Sequence, residues 1–152
     1  MIRLVTCDLD GTLLPHGQWT PSDEIFDIIP RLKARGIAFA AASGRQYHSL
    51  RRLFAPVAQE ILYIGENGAV VYDGDTLLSH TEVNTAVAHE LIADIVAIPD
   101  AEVMISGTTA CYLIAKTEAF VHHIREVQVR RGRCEGRVGD HRADHQNQRV
   151  PL

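Results

Sequence analysis

The chain opens on an apolar run, Ile2-Arg3-Leu4-Val5-Thr6-Cys7, whose β-branched residues lean towards a strand. Further on, Ile25, Ile28, Ile29 and Leu32 stand at i, i+3, i+4 and i+7, which predicts a helix with one apolar face packed on a sheet. It begins near Pro21-Ser22-Asp23-Glu24, with acidic residues in its first turn, and ends around Lys33, Arg35 and Gly36. Pro30 lies inside this pattern and, lacking a backbone donor, predicts a kink. Ile37–Ala42 reads as a short buried strand ending in Ser43-Gly44-Arg45, where a second helix starts with Tyr47, Leu50, Leu53 and Phe54 on one face. Ile61–Ile64 reads as a third strand. Val70-Val71-Tyr72 and Leu77-Leu78 flank Asp73-Gly74-Asp75-Thr76, a hairpin signal. A helix follows from Val83 to about Ala97, with Val83, Val87, Leu91 and Ile95 spaced by four. Val103–Ile105 and Cys111–Ile114 read as two strands, and Thr117-Glu118-Ala119-Phe120 opens a last helix.

Composition narrows the classes. A chain of 152 residues, 46% hydrophobic and 22% charged, suits one globular domain with a real core. A formal net charge of −4 offers no general attraction to nucleic acid or to an anionic membrane. Cys7, Cys111 and Cys134 form no cluster, and the start of the chain has neither a signal-peptide pattern nor a long apolar stretch. Reduced thiols in a cytoplasm are therefore expected.

The chemistry concentrates in Asp8-Leu9-Asp10-Gly11-Thr12, just after the first strand. Side chains two apart on an extended chain point the same way, so Asp8 and Asp10 converge. Carboxylates that close repel, and a hard cation with oxygen ligands and a bound phosphate relieves the conflict. A calcium loop is excluded, because its twelfth position counted from Asp8 is Trp19, which offers no oxygen ligand. Ser43-Gly44-Arg45 offers a hydroxyl and a glycine amide after another strand, a good place for a phosphate, although an N-capping serine accounts for Ser43 as well.

Asp8-Leu9-Asp10-Gly11-Thr12 closely resembles motif I of the haloacid dehalogenase-like hydrolases, and Ser43-Gly44-Arg45, one βα unit later, resembles their motif II. Gly65-Glu66-Asn67-Gly68-Ala69 followed by a hairpin is similar to the Cof-like branch of those phosphatases, subclass IIB, although Glu66 and Asn67 also read simply as turn residues. The resemblance implies an α/β fold: the N-terminal half of a Rossmann-like core with a parallel sheet over 1–80, and the first part of an α/β cap over 81–125. It implies Asp8 as nucleophile, Asp10 as acid and base, and Mg²⁺ held by Asp8 and by the carbonyl of Asp10. Ser43, Gly44 and Arg45 would bind substrate. The implied activity is hydrolysis of a small phosphorylated metabolite, such as a sugar phosphate, through an aspartyl-phosphate. Alternatives are a phosphomutase of the same superfamily, and an inactive fragment that binds phosphate or metal. A response-regulator receiver would place acidic residues before its phospho-acceptor and does not fit. Oligomeric state is not legible.

Residues 126–152 are expected to be an irregular tail. Arg130, Arg131, Arg133, Arg137, Arg142 and Arg149 crowd it, and apolar residues become single and widely spaced. A nucleic-acid arm is opposed by the interrupting Glu126, Glu135, Asp140 and Asp144 and by the lack of aromatics. A metal site at Cys134, His141 and His145 lacks a fourth ligand. An ordinary disordered tail, or out-of-frame sequence foreign to the family, are the other readings, and the loss of all pattern favours the last. The motif matches cover roughly residues 1–122. The family's motif III lysine and motif IV acidic pair have no counterpart, and in the family's sheet the missing strands flank the first one. That strand is then expected to be an exposed apolar edge.

Overall fold

The computed structural model describes residues 1–107 and 111–130, with 127–130 as helix backbone. The tail readings from 131 onward, including Cys134, His141 and His145, lie outside the described residues. The chain divides into two units, Met1–Thr81 and, among the described residues, Glu82–Val129.

The first unit is a five-stranded sheet, ordered as in the sequence: β1 (Leu4–Asp8), β2 (Ala38–Ala42), β3 (Leu62–Gly65), β4 (Val70–Asp73) and β5 (Thr76–His80). β1, β2 and β3 run parallel, and β4 and β5 add antiparallel as the predicted hairpin, with Asp73 opposite Thr76. Helix α1 (Asp23–Lys33) connects β1 to β2, and α2 (Tyr47–Leu53) leads on towards β3. The core gathers Leu9, Ile29, Leu50, Phe54, Ile61 and Tyr63, all essentially without solvent contact. β1 lies at the end of the strand order, and Leu4 on it is half exposed, in keeping with the expected apolar edge.

Two expectations are corrected. In α1 the buried face is Ile25, Phe26, Ile29 and Leu32, while Ile28 is exposed. Phe26 takes its place because its ring meets Phe54 edge-on, with centroids 6.3 Å apart. Pro30 lies inside α1, which continues to Lys33, and the Ala34 amide donates to the Pro30 carbonyl at 2.9 Å. The second helix starts at Tyr47, with Gln46 before it as cap, rather than at Ser43.

A hub pins the hairpin to α2. Tyr47 stacks on Tyr72, with centroids 3.7 Å apart, and its hydroxyl lies 2.9 Å from the Gly74 carbonyl and 2.8 Å from the Asp75 carboxylate. Arg51 and Gln59 also donate to Asp75. Arg51 foremost, then Tyr47, holds the Asp75 carboxyl well below the usual carboxylate range. Gly74 occupies the turn with φ +53, and a Cβ there would collide with the Gln59 side chain.

The second unit pairs β6 (Val103–Ser106) antiparallel with β7 (Cys111–Ile114), beside α3 (Thr85–Ala97) and α4 (Glu118–Arg130). Asn84 caps α3, accepting from the amides of Ala86 and Val87, and Thr117 accepts from the Phe120 amide at the start of α4. The stripe predicted along α3 is not buried, since Val83, Val87 and Leu91 are exposed. Helix α4 runs on past residue 125, where the cap segment was expected to end. No helix among the described residues is long and apolar enough to cross a membrane.

Candidate active site

Parallel pairing levels the carboxyl ends of three strands. Asp8 lies opposite Ala42, and Ala42 opposite Ile64. In open α/β sheets this edge is where ligands bind. The backbone then folds back on itself: the Leu13 amide donates to the Asp8 carbonyl at 3.2 Å, and the Leu14 amide to the Leu9 carbonyl at 2.7 Å. Gly11 supplies the turn with φ +90, which an L side chain adopts only with strain. Leu9 and Leu14 are buried and anchor the loop, so Asp8 and Asp10 on either side of Leu9 are driven outward to solvent. The Thr12 hydroxyl reaches the Asp8 carboxylate at 3.4 Å. The Cys7 thiol donates to the Asp8 carbonyl at 3.4 Å; burial, then the charge of Asp8, pushes it up, so it stays a neutral thiol.

After β2, the Ser43 amide donates to the Ile64 carbonyl at 2.9 Å. The Ser43 hydroxyl does not cap the helix. It accepts from the Arg45 amide at 3.2 Å and keeps its own hydrogen to donate. Gly44 is exposed beside it. Arg45 turns towards Asp10. Its side chain is 5% exposed, lies before the helix, and forks onto Asp10: Nε donates to Oδ2 at 2.9 Å and Nη2 to Oδ1 at 2.5 Å. Such a two-point contact fixes a carboxylate in plane as well as in distance. No sequence pattern signals this pair, which joins residues from two different loops.

The Glu66–Gly68 turn after β3 closes the far side. Glu66 and Asn67 are turn residues, as read from the sequence, and both have positive φ, 50° and 56°. The Glu66 amide donates to the Arg45 carbonyl at 3.0 Å, and the Asn67 amide to the Ser43 carbonyl at 3.2 Å. The one available signal was Asn-Gly, a pair that tolerates left-handed backbone.

A divalent cation would find hard oxygen donors here, the exposed Asp8 carboxylate and the Asp10 carbonyl, which suit Mg²⁺ in kind. No group of three or more His, Cys, Asp or Glu that could hold a metal gathers among the described residues. The chain's lysines are engaged elsewhere: Lys33 lies 3.9 Å from Glu60, and Lys116 donates to the Ile98 carbonyl.

A family model described as haloacid dehalogenase-like hydrolase matches residues 5–147. The chain belongs to the haloacid dehalogenase-like hydrolases. The match runs beyond residue 122, where the recognised motifs stop. Among curated relatives, the 5-amino-6-(5-phospho-D-ribitylamino)uracil phosphatase YbjI of Escherichia coli is 26% identical over 130 residues, covering 86% of this chain and 48% of that protein. A solved structure from Eubacterium rectale superposes with a TM-score of 0.75 at 26% identity, covering 98% of this chain and 55% of that one. SMU.1108c of Streptococcus mutans gives 0.71 at 26% identity, covering 82% and 48%. This chain of the haloacid dehalogenase-like family thus spans about half the length of these relatives.

Proposed function

We propose that this protein is a phosphatase of the Cof-like type, acting in the cytoplasm on a small phosphorylated metabolite such as a sugar phosphate. Asp8 attacks phosphorus through a carboxylate oxygen, the ester oxygen leaves with the bonding pair, and an aspartyl-phosphate forms on Asp8. Asp10, a carboxylate against Arg45 at rest, relays a proton taken up from solvent to the leaving oxygen and then takes one from the water that hydrolyses the intermediate. The Ser43 hydroxyl and the Gly44 amide donate to the phosphoryl oxygens, where charge develops. Arg45 orients Asp10. Asp8 and the Asp10 carbonyl would hold Mg²⁺, which when bound offsets negative charge on the phosphoryl group.

One observation carries this reading: Asp8 and Asp10 both face solvent at the carboxyl end of β1, with Asp10 gripped by the buried Arg45. YbjI, a named phosphatase, supports the reaction class. The experiment is hydrolysis of p-nitrophenyl phosphate with Mg²⁺. Asp8→Asn should abolish turnover, because a neutral amide is no nucleophile. Full activity in that variant would overturn the assignment.

A further inference from the structure

We propose that the left-handed turn Glu66–Asn67 is a positioning element of this site, clamping the Ser43–Gly44–Arg45 loop so that Arg45 meets Asp10 at a fixed place. The role rests on the phosphoryl-transfer reading above; the clamp itself does not.

Two consecutive non-glycine residues with φ of 50° and 56° are costly for L side chains, and such backbone persists only where its surroundings require it. Here the conformation aims two successive amides at one target loop. Glu66 N–H takes the Arg45 carbonyl at 3.0 Å and Asn67 N–H takes the Ser43 carbonyl at 3.2 Å. The Ser43 amide is already bound to Ile64, so the loop is fastened to β3 through both residues that flank Gly44. The two loops also interlock. A Cβ on Gly44 would come within 2.9 Å of the Asn67 Oδ1, and a Cβ on Gly65 within 3.1 Å of the Arg45 carbonyl. A glycine therefore stands at each place where the two segments press together, Gly44 in the loop after β2 and Gly65 at the end of β3.

From Arg45 the restraint passes to Asp10. The guanidinium is buried and forked, so it tolerates little displacement of its own backbone before one of its two bonds is lost. Asn67 acts through Ser43 and Arg45, by its backbone conformation more than by its carboxamide.

The test is a graded series in the full chain. Asn67→Gly keeps the left-handed backbone without steric cost, Asn67→Ala strains it, and Asn67→Val strains it most. The primary readout is hydrogen exchange of the Arg45 Nε–H followed by NMR, which needs no turnover. Exchange in Asn67→Gly should stay near wild type and rise by about tenfold or more through Ala to Val, as expected for local opening. Asn67→Ala keeps the series informative if the valine variant does not fold. Gly74→Ala, strained at the hairpin turn, controls for general loosening and should leave Arg45 exchange unchanged. With p-nitrophenyl phosphate and Mg²⁺, kcat should fall along the same order while KM changes little. Equal exchange across the series, equal loss in all three variants, or matching loss in Gly74→Ala would overturn the clamp. An intact exchange series without Asp8-dependent turnover would instead overturn the catalytic role.

Discussion

At the scale of single residues, Asp8 and Asp10 look alike in sequence but carry different structural duties. Asp10 is the counter-charge of Arg45, whose Nη1 is already buried without a hydrogen-bond partner among the described residues. Asp10→Ala therefore leaves a buried guanidinium uncompensated. Because Asp10 itself is half exposed, the cost should be about 2 kcal/mol, below the 3–5 of a wholly buried pair. Asp8→Asn removes an exposed group and should stay within about 0.5 kcal/mol. Urea denaturation of both variants checks this, and equal stabilities would contradict the pairing. Asp75 gives a pH signature. Its folded carboxyl is held low by Arg51 and Tyr47, so its contribution is present above the unfolded value of about 3.9 and is lost as pH falls towards the lower folded one. Asp75→Asn should melt below wild type at neutral pH, with the gap closing in acid below about pH 4. A gap that persists unchanged to pH 2 would count against the hub.

At the scale of elements, Phe54 joins α2 to the core, stacking obliquely on Phe39 and edge-on to Phe26 and Tyr63. Phe54→Ala should cost about 3–5 kcal/mol in chemical denaturation; a loss below 1 kcal/mol would show that the site relaxes freely. Most strands and helices here were legible because their apolar spacing is regular and their ends carry Gly, Asn or Thr. Ile28 was misplaced for a physical reason: the helical spacing allows either Ile28 or Phe26 to extend the face, and only the partner ring of Phe54 decides. The exposed stripe on α3 was beyond the sequence too, since periodicity reports a face and not what covers it. Within the site, Asp8, Asp10, Ser43 and Gly44 stood out through local motifs. The Arg45–Asp10 fork and the Glu66–Asn67 clamp did not, because each joins residues far apart in the chain through geometry that no short window contains.

At the scale of the molecule, β1 ends the strand order among the described residues, with Leu4 on it and Ile2 just before it exposed. A strand edge of that kind invites pairing with another chain. Leu4→Lys should slow concentration-dependent aggregation, read by light scattering, without lowering the melting temperature. Faster aggregation would show that Leu4 shields the edge. The strand order has a quieter consequence. Each strand in the first unit pairs with its predecessor in the chain, so no pairing waits on a strand beyond the next one, although β1–β2 and β2–β3 close over helical crossovers. During synthesis, residues 1–81 can therefore pair strand by strand in the order in which they leave the ribosome, with β1, which ends in Asp8, as the template for β2 and each later strand built on the one before it.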